Sequence, residues 1–364
     1  MAQLRVQYGQ PIAVLRIIPA SDFDGTVEVQ YEKAVIAARM VLDRDPPYPV
    51  IGLQITGVNI AEDSVGKIKE EMRALLGQTG FEVAEISNGT PAYIDGLNQR
   101  KQFAIGSVFK LYVLATLSEQ IKGGEKKWSD VVALNHQSLP SGVLQNWPAG
   151  APLTLQTLAT LMISISDNTA TDMLIDHVGR RKIEQLLRRS GHSDPSKALP
   201  FLTTLETFAL KMPRNDDLRE RFAAATESNQ HRLLEQEKSR LGIDSVSVTN
   251  LATSPRHIDT IEWFASPADI SKLLAAMHSV KDQVVTEILA INPIIPPGDA
   301  KRWEYVGSKG GSEPGVVSFA FLIEAKSGRS YAISGSWNNP KTPVDETKFL
   351  GLMNRLLNIT AERR

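Results

Sequence analysis

Phe103-Ala104-Ile105-Gly106-Ser107-Val108-Phe109-Lys110-Leu111-Tyr112-Val113-Leu114 is the stretch on which the reading of the chain turns. An apolar run enters it, a glycine stands before Ser107, and an apolar run at helical spacing leaves it. Ser107 and Lys110 are three positions apart. If a helix starts at Ser107, both side chains share one face of its first turn. A serine hydroxyl is a poor nucleophile by itself and needs an adjacent base. A lysine amine one turn away can serve once burial and neighbouring charge lower its pKa. The positive end of the helix dipole lies at the same place and stabilises an oxyanion formed beside the serine.

The bland reading of the pair is an N-cap serine and a surface lysine. The chain carries such a decoy, Ser64-Val65-Gly66-Lys67, which opens a charged amphipathic segment. That serine reads as an N-cap and that lysine as solvated.

The 364 residues carry 40 Lys and Arg against 41 Asp and Glu, a net charge of −1. This length accommodates two domains or one large domain with an appendage. No long basic run is present, so nucleic acid is not an expected partner. The absence of cysteine excludes disulfides, cysteine nucleophiles and thiolate metal sites. Six scattered histidines show no ligand spacing, so no dedicated zinc site is expected. Met1-Ala2-Gln3-Leu4-Arg5 opens no signal-peptide pattern, and no apolar run reaches transmembrane length.

Ahead of Ser107, residues 12–18, 25–31, 34–42 and 50–58 are short β-favouring runs. They predict an antiparallel meander of about four strands, too small to be stable without a partner surface. Residues 61–80 predict an amphipathic helix stopped by Gly77 and Gly80, and 81–86 a strand closed by the turn Ser87-Asn88-Gly89-Thr90. From Ser107 to about Ser190 the chain reads mostly helical, with helices over 107–121, 154–165, 168–178 and 182–189. A Pro/Gly-rich loop over 140–152 interrupts it. Helical fragments follow around 203–211 and 218–239, then a clean amphipathic helix over 266–280. Strands over 316–325 and 330–337 and a helix over 344–357 end the chain. The fold class is therefore α+β, an antiparallel sheet flanked by helices with an all-helical middle, preceded by the small β meander.

Two further motifs join Ser107-Lys110. Ser166-Asp167-Asn168 sits between two helical runs, where its plain reading is a helix cap. Lys309-Gly310-Gly311-Ser312 stands just before the strand at Val316, where its plain reading is a glycine turn with an exposed lysine. Three weak motifs in this order are stronger than any one. S-x-x-K, S-D-N and K-[TS]-G form the signature of class A β-lactamases and penicillin-binding proteins. Over roughly residues 62–360 the chain resembles that superfamily. It departs in two places. Its third motif is Lys-Gly-Gly, with Ser312 as a replacement hydroxyl. No Glu-x-x-Leu-Asn, the pattern of the glutamate that activates the deacylating water, occurs between Asp172 and Trp263. Glu206 is the nearest candidate by position, with a solvated helix glutamate as the plainer reading. With the strand-rich start, these departures are similar to the two-domain β-lactamase-like proteins of clavulanic acid gene clusters. Those carry a small helper domain of the nuclear-transport-factor-2 (NTF2) kind and a Lys-Gly-Gly-Ser motif. The division expected is a helper, reduced or truncated, over residues 1–60 and a hydrolase domain over 61–364.

The resemblance implies Ser107 as acylating nucleophile, Lys110 as its base and Ser166 as proton relay to the leaving group. It implies Asn168 for the substrate amide, Lys309 for a substrate carboxylate, and Gly311-Ser312 for the substrate-binding strand. The N–H groups of Ser107 and Ser312 would form the oxyanion hole, and no cofactor or metal is implied. The expected activity is a serine hydrolase on small ester, amide or β-lactam substrates, an esterase or weak β-lactamase. The alternative is a protein of the same fold that binds β-lactams or peptides without turnover. A secreted or periplasmic place follows from the resemblance alone, and oligomeric state stays open.

Overall fold

A strand needs alternation and a turn, whereas a helix needs a cap and an apolar face, and both signals recur along the chain. The computed structural model describes residues 4, 5, 8–60, 63–251, 253–295 and 297–363. They form two compact units, one of residues 1–74, 295–303 and 347–364, the other of residues 75–294 and 304–346.

In the first unit, β1 (Pro11–Ser21), β2 (Asp24–Tyr31), β3 (Ala34–Leu42) and β4 (Val50–Ile60) form an antiparallel meander in sequence order. Tyr31, Ala34 and Ile36 make a small core there, with Val29, Ile55, Val58 and Ile60 packed against it. Helix α1 (Val65–Arg73) follows. Ser64 caps it by accepting from Lys67 N at 3.2 Å, the decoy role that its context predicts. The helix ends at Arg73 and Gly80 falls inside a strand, so the predicted run to residue 80 is too long. Ala61 and Glu62 lie outside the described residues.

The second unit is built on β5 (Gln78–Ser87), β6 (Thr90–Leu97), β11 (Trp303–Glu313), β12 (Val316–Ala325) and β13 (Ser330–Asn338), in the order β11-β12-β13-β5-β6. Strands from both ends of the chain thus share one sheet, the arrangement expected of a helical middle bracketed by strands. Asn88 and Gly89 turn β5 into β6 with φ of 50° and 74°, the two left-handed residues that a tight hairpin requires. Short strands β7 (Phe103–Ala104) and β10 (Phe264–Ala265) pair, as do β8 (Val131–Ala133) and β9 (Pro152–Thr154).

The helices run α2 (Lys110–Lys122), α3 (Leu155–Ser164), α4 (Asn168–Val178), α5 (Arg180–Arg189), α6 (Thr204–Leu210), α7 (Asp216–Ala223), α8 (Glu227–Gln236), α9 (Pro267–Val280), α10 (Gln283–Ala290) and α11 (Glu346–Ala361). Thr154, Asp167, Thr203 and Ser266 cap α3, α4, α6 and α9 with their side chains. Strand β6 and helix α10 lie where no element was expected, and residues 218–239 hold two helices rather than one fragment.

Helix α2 is buried all round, with Leu111, Tyr112, Val113, Leu114 and Leu117 inaccessible or nearly so. It sits in one core with residues of α3, α4, α5, α9 and α10 and with Ala320, Leu322 and Ala332 of the sheet. Truncating Leu114 to Ala would therefore cost roughly 2–5 kcal/mol. The consequence for chemistry is that Lys110, the first residue of α2, is carried into the interior.

Candidate active site

Ser107 lies in a short 3-10 turn, Gly106–Phe109, that feeds directly into α2. The turn is held from outside. Ile105 N donates to Trp263 O at 3.0 Å, and Phe109 stacks on Trp263 with centroids 3.7 Å apart. Ser107 is half-buried, whereas Lys110 is 0 % exposed. Among the described residues no hydrogen bond reaches Ser107 Oγ, which leaves it available to a substrate.

Lys110 Nζ donates three hydrogen bonds, to Ser166 O at 2.7 Å, Ser166 Oγ at 3.0 Å and Asn168 Oδ1 at 2.8 Å. Ser166 holds φ at 58°, a left-handed value that costs a side-chain-bearing residue on the order of 1–3 kcal/mol. Its hydroxyl also accepts from Lys309 Nζ at 3.1 Å. Ser107's turn, S-D-N and the Lys309 strand are thus brought together as the motifs predict.

Asp167 explains how the S-D-N turn stays in place. Its carboxylate caps α4 through Ala170 N at 2.8 Å and accepts from Val143 N at 2.7 Å and Leu144 N at 3.0 Å. Ser141 Oγ donates to Ser166 O at 2.7 Å, and Asn168 Nδ2 to Leu139 O at 3.1 Å. Gly142 has φ of 115°, and a Cβ there would fall 2.3 Å from Asp167. Residues 138–144 are therefore a wall of the site. Sequence reading takes 140–152 for a Pro/Gly-rich loop, because the residues that make it a wall, Asp167 and Asn168, lie 23–29 positions away from their partners there.

Lys309 and Gly311 lie within β11, not in a turn before the next strand. A Cβ on Gly311 would lie 2.5 Å from Ser107 N and from Ile105 O, and 2.8 Å from Val108 N. The glycine is thus needed for close approach of two backbones, where β11 passes the nucleophile turn. Lys309 is 4 % exposed, and Ser312 is exposed.

Neither Lys110 nor Lys309 has a carboxylate in ion-pair contact among the described residues. Burial, and then the charge of Lys309, hold the Lys110 amine well below the usual lysine range, against weaker opposing pulls from Asp172 and Asp167. Burial lowers Lys309 to about 7, with Glu346 opposing. Two amines bonded to one hydroxyl titrate as a pair, so a proton on one disfavours a proton on the other. The pair can hold a neutral amine at neutral pH, which is what a general base requires.

Glu206 stands apart from this group. Its Oε2 accepts from Thr203 N at 2.8 Å, completing a capping box on α6, and its Oε1 pairs with Arg180 Nη2 at 2.5 Å. It lines a cavity of about 540 Å³ with His136, Asp176 and Lys238, to which Ser107, Lys110, Ser166 and Lys309 contribute nothing. Glu184, Glu227 and His231 of α5 and α8 place ligand-type atoms within 4.8 Å of one another. Arg188 Nη2 holds both oxygens of Glu227 there at 2.7 Å, so the group reads as an ion-pair cluster.

A family model described as "Beta-lactamase enzyme family" matches residues 65–356. Among curated proteins none matches. Among solved structures, the β-lactamase from Sphaerobacter thermophilus DSM 20745 is 20 % identical, covering 82 % of this chain and 96 % of that one, with a TM-score of 0.57. The β-lactamase from Francisella tularensis is 14 % identical over 82 % of this chain and 99 % of that one, with a TM-score of 0.56. A structure of PBP-A is 14 % identical over 82 % and 95 %, with a TM-score of 0.54. At these identities the likeness is one of fold.

Proposed function

Because the chain belongs to the β-lactamase enzyme family, serine hydrolases that work through an acyl-enzyme, we propose that Ser107 is the residue acylated and that the substrate is a small ester or amide of the β-lactam kind. The observation that carries this reading is the convergence on one serine hydroxyl, beside the Ser107 turn, of two buried lysines that have no carboxylate in ion-pair contact among the described residues.

In this reading Lys110, whose amine burial and Lys309 hold well below the usual lysine range, first gives up one of the three protons it donates and then takes the proton of Ser107 as its Oγ attacks the carbonyl carbon. The tetrahedral oxyanion is held by the N–H groups of Ser107 and Ser312, beside the space that Gly311 leaves clear. Ser166, bonded to both amines, passes a proton to the leaving nitrogen or oxygen as the C–N or C–O bond breaks. Asn168 orients Lys110 and offers its amide to the substrate. Lys309, half-charged near neutrality, meets a substrate carboxylate. Deacylation then falls to Lys110, regenerated as a base, because Glu206 is committed to its cap and to Arg180. β-Lactams are expected to turn over slowly and activated esters faster.

That commitment of Glu206 also favours the second reading, a protein that captures such ligands without release. Residues 1–60 are proposed as a reduced helper to the hydrolase portion, 61–364, supported by a four-stranded sheet with its own small core. Intact mass spectrometry after mixing with a penicillin and a p-nitrophenyl ester separates the two. A transient adduct with product released supports the hydrolase, a permanent adduct the binder, and no adduct on either probe contradicts both.

A further inference from the structure

Lys211, Glu262 and Glu313 form a second buried charged cluster, and nothing in the reaction above uses it. Lys211 Nζ donates to Glu262 Oε1 at 2.5 Å and to Glu313 Oε1. The Lys211 and Glu262 side chains are each 1 % exposed. The three residues come from segments distant in sequence. Lys211 ends α6, Glu262 leads into β10, and Glu313 is the last residue of β11.

The cluster closes a ring of contacts around the nucleophile. From Glu262 the next residue is Trp263, whose carbonyl accepts from Ile105 and whose ring lies on Phe109, both in or beside the Ser107 turn. From Glu313 the chain runs back through Ser312 to Gly311, whose backbone abuts Ser107 N. Strand β11 is an edge of its sheet, with β12 on one side only. An edge strand that ends one residue past its oxyanion donor, Ser312, would fray there unless something fixed it. Buried ions are poor sources of net stability compared with apolar packing, so a buried triad at this place calls for a geometric reason.

We propose that Lys211, Glu262 and Glu313 are positioning residues that hold the Gly311–Ser312 backbone against Ser107 and so set the oxyanion pocket. The proposal rests on the reading of Ser107 as the acylated residue. Burial and the neighbouring Glu262 carboxylate push Glu313 well above the usual carboxylate range, against the pull of Lys211. Glu313 bonds to Glu262 and accepts from Lys211. A glutamine can make the same bonds, whereas a leucine can make neither.

The test compares Glu313→Gln with Glu313→Leu, since both leave the Lys211–Glu262 pair intact. Thermal melting establishes that each is folded, and Glu313→Met replaces the leucine variant if that one does not fold. Stopped-flow acylation by a p-nitrophenyl ester should show the leucine variant slowed by about tenfold or more at saturation, with its half-saturating concentration changed by less than about threefold. The glutamine variant should stay within about threefold of wild type. A second readout needs no substrate. Amide hydrogen exchange over residues 305–314 should quicken in the leucine variant and not in the glutamine one. Leucine and wild type alike in both measurements would overturn the proposal, as would a glutamine variant as impaired as the leucine. If wild type takes no adduct at Ser107, the reading of Ser107 has failed, and the exchange result alone then decides whether the triad fixes β11.

Discussion

Lys110 and Lys211 are both buried, and their surroundings drive their amines in opposite directions. Burial acts on each by disfavouring charge. Around Lys110 the next influence is a second lysine, so its pKa falls well below the ordinary value. Around Lys211 the carboxylates of Glu262 and Glu313 outweigh burial and raise it. One region gives a buried amine hydrogen bonds but, among the described residues, no carboxylate in ion-pair contact, and the other supplies two carboxylates to one amine. An uncompensated charge costs stability and yields a base, whereas a compensated one serves as a fixed joint. The difference therefore separates the residues that react from those that hold.

The contrast can be broken by removing each amine. Lys110→Ala should slow acylation by on the order of 10²–10⁴, the usual worth of a general base, in a protein that still folds. Stopped-flow acylation checks it, and a loss below tenfold would remove Lys110 from the chemistry. Lys211→Met should act on stability instead. It strands two buried carboxylates and should cost about 3–5 kcal/mol, read from denaturant midpoints.

Lys309 sharpens the comparison because its pKa of about 7 falls inside the working range. Its charge is present below that pH and lost above it. The kcat/KM of a carboxylate-bearing substrate, relative to a neutral ester, should therefore fall as pH rises through about 7. Lys309→Ala should lower the carboxylate substrate about tenfold more than the ester, an ion-pair difference of roughly 1.4 kcal/mol. Equal losses would mean that Lys309 works through Lys110 or through folding. The sign for stability follows from the same shift. The folded amine is depressed below its unfolded value, so the folded state binds fewer protons between about pH 7 and 10 and gains stability as pH rises through that window. Lys309→Met should be more stable than wild type at pH 7, and the gap should close towards pH 10. A gap that does not change with pH would refute the assignment.

The smallest effect is expected at Glu206. Glu206→Gln should leave acylation intact and change deacylation less than tenfold, under about 1.4 kcal/mol. A variant that traps a long-lived adduct, where wild type does not, would make Glu206 the deacylation base after all.

The parts of the site that could be read from sequence are those whose partners lie within one turn. The Asp167 cap of α4 and the Ser64 cap of α1 are local patterns, and each stands as expected, whereas the helix expected to start at Ser107 starts at Lys110, with Ser107 in the 3-10 turn that leads into it. Glu206 reads in sequence as a solvated helix glutamate, whereas the structure has it mostly buried, in a capping box with Thr203 and paired with Arg180. Gly310-Gly311 misled because a glycine pair signals a turn as readily as it signals close backbone approach. Only the long-range fact that β11 passes Ser107 decides between them. The wall at 138–144 and the Lys211 triad left no trace for the same reason. Lys211 meets Glu262 and Glu313 across 51 and 102 positions, separations at which no periodicity carries information.

The most direct measurement maps the covalent label. Wild type and Ser107→Ala are each treated with a penicillin and a fluorophosphonate, digested, and sequenced by mass spectrometry. The account predicts one adduct, on the peptide carrying Ser107, and none in the variant. An adduct that survives in Ser107→Ala, or that maps to Ser64, would contradict it.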